Sequence, residues 1–460
     1  MLHFDPHTQS FYTDLKPHRL EDVPEPNLYR DIFPYSLFPK ISFTHERVPT
    51  FIPEETWITD TTFRDGQQAR APYTAGQIVE LYKFMHRLAG PRGLIRASEF
   101  FLYSRKDREA VEKCLALGYE YPQITGWIRP IKKDFKLVKE IGLKETGILT
   151  SCSDYHIFLK LHQTRKQALG MYLDTVKAAL DEGVIPRCHL EDITRADIEG
   201  FVTPFVAELM ALAEQYEMPV KIRMCDTLGF GVPYVGAQLP RSVAKIVYCL
   251  RREAGVPPEW LEWHGHNDFH MVLVNATTAW LHGCCAANGT FLSIGERTGN
   301  PPIEGLVVEH AMLWGETEGV DYSVITEMAD YYRREIGYEI PVRYPLVGRD
   351  FNVTRAGIHA DGLLKNEEIY NPFDTEGILK RPVRVALTDK SGAAGVLHWI
   401  QDRYEVDAGL SKDDPRIVRV ADWIAAEYEE GRMTSISDEE MDSKVHEVFG
   451  PDVRRRPETL

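Results

Sequence analysis

A beat in the sequence constrains the fold more than any single residue does. Short β-prone segments recur at Trp57–Asp60, Leu94–Glu99, Tyr119–Thr125, Glu145–Ser151, Val184–His189, Val220–Met224, Leu261–His264 and Gly289–Ile294. Stretches with helical patterning separate them, as at Ala75–Leu88, Asp107–Leu117, Arg165–Glu182, Pro204–Tyr216 and Tyr234–Ala254. Eight strand candidates alternating with helices over roughly 260 residues predict an α/β fold of the (β/α)8 TIM-barrel type. A doubly wound open sheet is the competing architecture, but no GxGxxG follows the first strand.

The flanks read differently. Residues 1–50 are rich in Pro, Tyr, Phe and His. They are too aromatic for a disordered tail, which predicts an arm packed across the main domain or a partner subunit. The barrel is expected over 51–340. From about Arg343 the beat stops and the pattern becomes mostly helical over 341–460, with a capping-box start at Ser437 and Glu440.

The net charge of -16 argues against non-specific binding to nucleic acid or anionic membranes, since both need a positive field. Seven scattered cysteines without a CxxC pair fit reduced thiols in a cytoplasmic protein. Neither a secretory signal nor an apolar run long enough to span a membrane is expected.

Chemistry is carried at the predicted strand ends, where barrel enzymes display it. His264 and His266 in EWHGHND alternate onto one face of a strand, so two imidazoles can aim at one point. Asp65, at the end of the first strand, lies two places away in a closed barrel. Two imidazoles and a carboxylate make a site for a divalent transition metal. The glycine-bracketed loop GERTGN can bring backbone amides or Asn300 to the metal's edge. Arg187, His189 and Glu191 alternate onto one face of the fifth strand, and Glu99 adds another charge to a polar bowl.

The ordered motifs DTTFRDGQQ, LEDITRAD, CDTLG, HGHND and GERTGN resemble those of the DRE-type metal-dependent TIM-barrel enzymes. The resemblance runs from about Trp57 to about Ile400. Within that superfamily the chain is similar to the Claisen-condensing branch, the isopropylmalate, homocitrate, citramalate and Re-type citrate synthases. The resemblance implies that Asp65, His264, His266 and Asn300 hold a divalent metal, with Mn2+ expected before Mg2+, Co2+ or Zn2+. It implies that Arg64 polarises a keto oxygen and that Gln68, Glu99, Arg129, Arg187, His189 and Thr227 face the substrate, with Glu191 assisting catalysis. His359 in GIHADG and Tyr370, eleven residues on, match a pair that this branch delivers to the partner subunit's active site, so a homodimer is expected.

The expected reaction is condensation of acetyl-CoA with a 2-oxo acid. Arg187 and His189, with Arg129, suit a second carboxylate, which favours oxaloacetate and hence citrate as product. The aromatic arm and the phrase HADGLLKNEEIYNPFDT also resemble the citrate-forming members. The alternatives are 2-oxoglutarate, giving homocitrate, the isopropylmalate or citramalate reactions, and more remotely an aldol lyase of the hydroxymethylglutaryl-CoA type. The roughly 120 residues past the barrel are too few for a large effector domain, so feedback control by leucine is not expected.

Overall fold

The computed structural model describes residues 2–5, 10–13, 18–128, 134–315, 319–407 and 409–456. Its centre is a closed barrel of eight parallel strands. These are β1 (Trp57–Asp60), β2 (Ile95–Phe101), β3 (Gln123–Trp127), β4 (Glu145–Leu149), β5 (Ile185–Glu191), β6 (Lys221–Asp226), β7 (Leu261–Gly265) and β8 (Ala286–Gly289). They pair in sequence order, and β8 closes the ring by pairing with both β7 and β1. Each strand has apolar residues on one face, such as Ile58, Ile148, Ile222 and Trp263, all fully buried. The other face carries the polar series Glu99, Arg187, Arg223, Glu262 and His264, also buried. Parallel strands covered on both sides must satisfy that second face internally, so the polar series has to find its partners inside the barrel.

The helical stretches start where local chemistry permits. Thr74, Ser104 and Thr164 each form a capping box, with Gln77, Asp107 and Gln167 respectively. Two expectations shift. The helix anticipated over Tyr234–Ala254 begins only at Val243, capped by Ser242, because Pro240 cannot donate to a helical ladder. The eighth strand lies earlier than Gly289–Ile294, since Leu292 and Ser293 adopt positive φ of 56° and leave the extended conformation.

The chain forms two compact units, Met1–Asp321 and Tyr322–Leu460. The second therefore starts ahead of the expected boundary at 340. In the first unit the arm lies across loops that follow barrel strands. Glu21 donates its backbone N–H to Gly200 O, Asn27 to Asp154, and Thr44 to Gly236 O. Arg241 returns the contact by donating to Lys40 O at 2.6 Å. The second unit packs the helices Ala393–Arg403, Pro415–Glu429 and Asp438–Phe449 around Trp399, Ile400, Ile417, Val420 and Val445. The third of these helices opens on the capping box Ser437/Glu440.

Candidate active site

At the C-terminal end of β7 the two histidines stand as alternation requires, ring centroids 5.2 Å apart and nearly perpendicular. Asp65 joins them from the short helix Asp65–Gln68 that follows β1. One ligand atom from each lies within 4.8 Å of the others, and among the described residues this is the cluster able to hold a metal.

The neighbours fix both tautomers. Asn288, paired across the sheet with His264 and with Thr59, donates its amide to Thr59 Oγ1 at 2.9 Å. Its Oδ1 is thereby turned to His264 Nδ1 at 2.7 Å, so Nδ1 carries the proton. His266 Nδ1 meets the carbonyl of Glu296 at 3.2 Å and must also donate. Both Nε2 atoms are left as lone-pair ligands, and His266 Nε2 faces Asp65 Oδ2 at 3.8 Å.

Charge supports the same use. Burial pushes both imidazoles below their ordinary pKa, keeping them neutral. Burial also works to raise Asp65, but Arg64 beside it outweighs that and holds the carboxylate ionised. Asp65 Oδ2 and Asn300 Oδ1 are buried acceptors without a hydrogen-bond partner among the described residues. Asn300 is clamped by its amide on Gly265 O at 3.0 Å. A Cβ on Gly295 would fall 2.0 Å from Asn300 Oδ1, so only glycine leaves room for that oxygen. Two unpartnered oxygens beside two imidazole lone pairs suit a divalent cation, and the donor set fits one.

The bowl continues from this nest. Arg64 donates Nε to Glu99 at 2.8 Å and Nη1 to Asp65 Oδ1 at 3.0 Å, and lies over the Trp127 ring. Glu99 also receives Arg223 at 2.9 Å. Burial would raise the Glu99 carboxyl, but Arg223 and Arg64 hold it well below the usual range. His189 rests against Trp127, kept neutral by burial, with Nε2 3.4 Å from Glu99 Oε1 and poorly satisfied. That approach needs Gly147, because a Cβ there would lie 2.7 Å from His189 Nε2.

A model of the family described as HMGL-like matches residues 55–331. The chain belongs to the HMGL-like family. Among curated relatives of this HMGL-like chain, citrate (Re)-synthase of Syntrophus aciditrophicus is 59% identical over 95% of this chain and 70% of that protein. Citrate (Re)-synthase of Clostridium kluyveri is 52% identical over 96% and 98%. The 2-phosphinomethylmalate synthase of Streptomyces hygroscopicus is 38% identical over 94% and 98%. The crystal structure of hydroxymethylglutaryl-CoA lyase from Pseudomonas aeruginosa aligns with TM-score 0.50 at 17% identity, over 63% of this chain and 95% of that one, a likeness of fold.

The remaining residues singled out in this HMGL-like sequence are placed unevenly. Arg187 departs from a free carboxylate-binding fork. Two residues deeper on β5 than His189, it is held by Glu145 at 3.0 Å, Glu262 at 3.3 Å and Thr125 at 2.8 Å. Its charge is compensated, and only Nε lacks a partner among the described residues. Glu191 lies at the rim, bound to Ser151, to His156 at 2.9 Å and to Lys160 at 3.0 Å. Burial works against ionisation, but His156 leads the contacts that lower its pKa to about 2, so Glu191 is a weak proton acceptor.

Thr227 accepts the backbone N–H of Asp192 at 2.8 Å and holds the strand ends together. Gln68 is exposed at the end of its short helix. Arg129 lies outside the described residues. His359 and Tyr370 both belong to the second unit, where their rings lie 4.2 Å apart and tilted by 38°. Cys188 is fully buried with its thiol pushed up to about 12, consistent with packing rather than nucleophilic use.

Asn288, Trp127, Glu145 and the carbonyl of Glu296 escaped the sequence reading. Glu296 stands in GERTGN but acts through a backbone atom, the other three stand in no motif, and the only signal for Asn288 was a polar residue inside an otherwise small apolar strand.

Proposed function

We propose that this protein condenses acetyl-CoA with oxaloacetate to give citrate and CoA, using a divalent metal held by Asp65, His264, His266 and Asn300. The observation that carries the substrate choice is nearly full-length identity of 59% and 52% to two relatives named citrate (Re)-synthase. Manganese is the metal we assign, and a cytoplasmic homodimer is the form in which we expect the enzyme to work. Oxaloacetate, a 2-oxo dicarboxylate, suits a bowl that offers Arg64, His189 and the free Nε of Arg187.

Asp65, His264, His266 and Asn300 would hold the cation, which would supply Lewis-acid polarisation of the ketone. Arg64, fixed by Glu99 and Asp65, needs no rearrangement to stabilise negative charge gathering on the carbonyl oxygen. His359 is the proposed base, delivered by the partner subunit. Its imidazole takes a proton from the methyl group of acetyl-CoA, and Tyr370 packed against it orients the ring. The resulting enolate carbon bonds to the ketone carbon, whose oxygen takes up a proton. Water then cleaves the thioester, releasing CoA as the thiol and leaving the third carboxylate of citrate.

The test is release of free thiol from acetyl-CoA with Mn2+ and each of oxaloacetate, 2-oxoglutarate, pyruvate and 2-oxoisovalerate. Oxaloacetate is expected to give the highest kcat/KM; no release with it alongside release with another acid would refute the substrate. His359→Ala should lower kcat while metal content stays unchanged, and full activity in that variant would point to a lyase-type reaction instead.

A further inference from the structure

The second unit holds a concavity of about 260 Å³ between the helix Val324–Tyr331 with its following turn, the loop around Arg349, and the segment after Leu379. Arg333, Arg349, Lys380, Arg381 and Arg384 line it, with Asp330 as the one carboxylate. Five positive charges against one negative is a sharp local reversal in a chain of net charge -16.

These charges are not spent on each other's neutralisation. Arg333 takes Asp330 at 2.7 Å and also donates to the carbonyl of Val347. Arg381 donates to Val347 O at 2.8 Å and Gly348 O at 2.7 Å and lies over Phe351, so its partners are neutral. Its hydrogen bonds are satisfied while its charge is not. Burial, with Arg333 beside it, pushes Arg381 down to about 10, which leaves it cationic at neutral pH. Lys380 donates to Gly377 O at 3.0 Å, again a neutral partner, and Arg349 is 77% exposed with Asp350 only at 3.4 Å. Arg333 sits within a wide helical turn, Tyr332–Ile336, that interrupts the regular ladder and sets its side chain beside Arg381.

Half-buried like charges held together by backbone carbonyls are costly unless an anion completes them. The guanidinium groups of Arg349 and Arg384, with Lys380, match phosphate oxygens over the positive field of Arg333 and Arg381, and the small volume suits a diphosphate rather than a whole nucleotide. We propose that this pocket binds the diphosphate group of a nucleotide, with the rest of that ligand outside the concavity. Two sources share this chemistry, a free nucleoside diphosphate and the ADP portion of CoA.

The intact, metal-loaded protein is titrated with ADP by calorimetry at constant ionic strength, and compared with Lys380→Gln/Arg384→Gln, which leaves Arg381 and its carbonyl contacts in place. One saturable ADP site is expected, weakened about tenfold or more in the double variant. Arg349→Gln, at an exposed side chain, is the fallback should the double variant not fold, with an expected loss of about threefold.

The acetyl-CoA KM distinguishes the sources. A rise of about fivefold or more at unchanged kcat assigns the site to CoA, and an unchanged KM with lost ADP binding assigns it to a free nucleotide. The CoA arm rests on the proposed condensation; the ADP arm does not, so failure of one is separable from failure of the other. No saturable ADP binding, or equal affinity in wild type and variant, overturns the proposal. So does a variant that changes only the oligomeric state in sedimentation, which would make the pocket a subunit contact.

Discussion

In the floor of the barrel Glu262 receives Arg223, Arg187 and the hydroxyl of Thr59, and Arg187 donates to Glu145 and Thr125 in turn. At the mouth, Asp65 accepts Arg64 on one oxygen, while its other oxygen and Asn300 Oδ1 receive no donor among the described residues. Both tiers are buried, and both are built from charged side chains on neighbouring strands. The floor, the Nε of Arg187 apart, is compensated from within and serves to hold the strands in place. The mouth is left incomplete and is finished by what it binds. Unpartnered buried atoms, more than charge itself, separate a binding site from structural scaffolding.

The contrast can be broken from the mouth first. His266→Ala should remove bound metal and cut turnover by about ten-thousandfold, roughly 5 kcal/mol of barrier, with thermal stability of the metal-free protein little changed. Metal analysis beside kcat checks this, and retained metal with full turnover would put the site elsewhere. From the floor, Arg223→Met strands Glu99 and Glu262 together and should destabilise the first unit by about 3–5 kcal/mol in urea unfolding. Equal stability would mean that the floor is not held by charge.

Asp60 sharpens the comparison because it belongs to neither tier. It is fully buried, receives Ser98 and the Thr62 N–H, and burial pushes its carboxyl up to about 7. In the unfolded chain it ionises near 3.8, so between those values the unfolded state loses a proton that the folded state keeps. Its contribution is full below about pH 4 and is lost as pH rises through 7. Asp60→Asn should therefore flatten the decline in stability between about pH 4 and about pH 7, by at most about 4 kcal/mol. An unchanged slope in denaturant midpoints would exclude Asp60 as its source. Smallest is Asn288→Ala, which frees the His264 tautomer without removing a ligand. It should weaken metal affinity by about 10–100-fold and leave the fold intact, as measured by competition with a chelator.

Much of the site was legible because period-two spacing is local. His264 and His266 had to share a face, and so did Arg187, His189 and Glu191. The state of each of those side chains was not legible. Arg187 looked like a free carboxylate clamp until closure of the barrel brought Glu145 and Glu262 against it. Glu191 was expected to assist catalysis, and the fold sets His156 and Lys160 against it. The eighth strand was misplaced for a related reason. Phe291–Ile294 has β-prone residues but turns, whereas Ala286–Gly289 has weak propensity and is extended by pairing on both sides.

By itself, then, the sequence determined the eight-fold alternation, the paired imidazoles and the carboxylate that joins them, because these follow from chain-local periodicity. The tertiary structure decided which charges stay unpaired, since compensation comes from strands far apart in sequence that meet only when β8 closes on β1. Partners such as Asn288 carry no motif, and their function is a product of register.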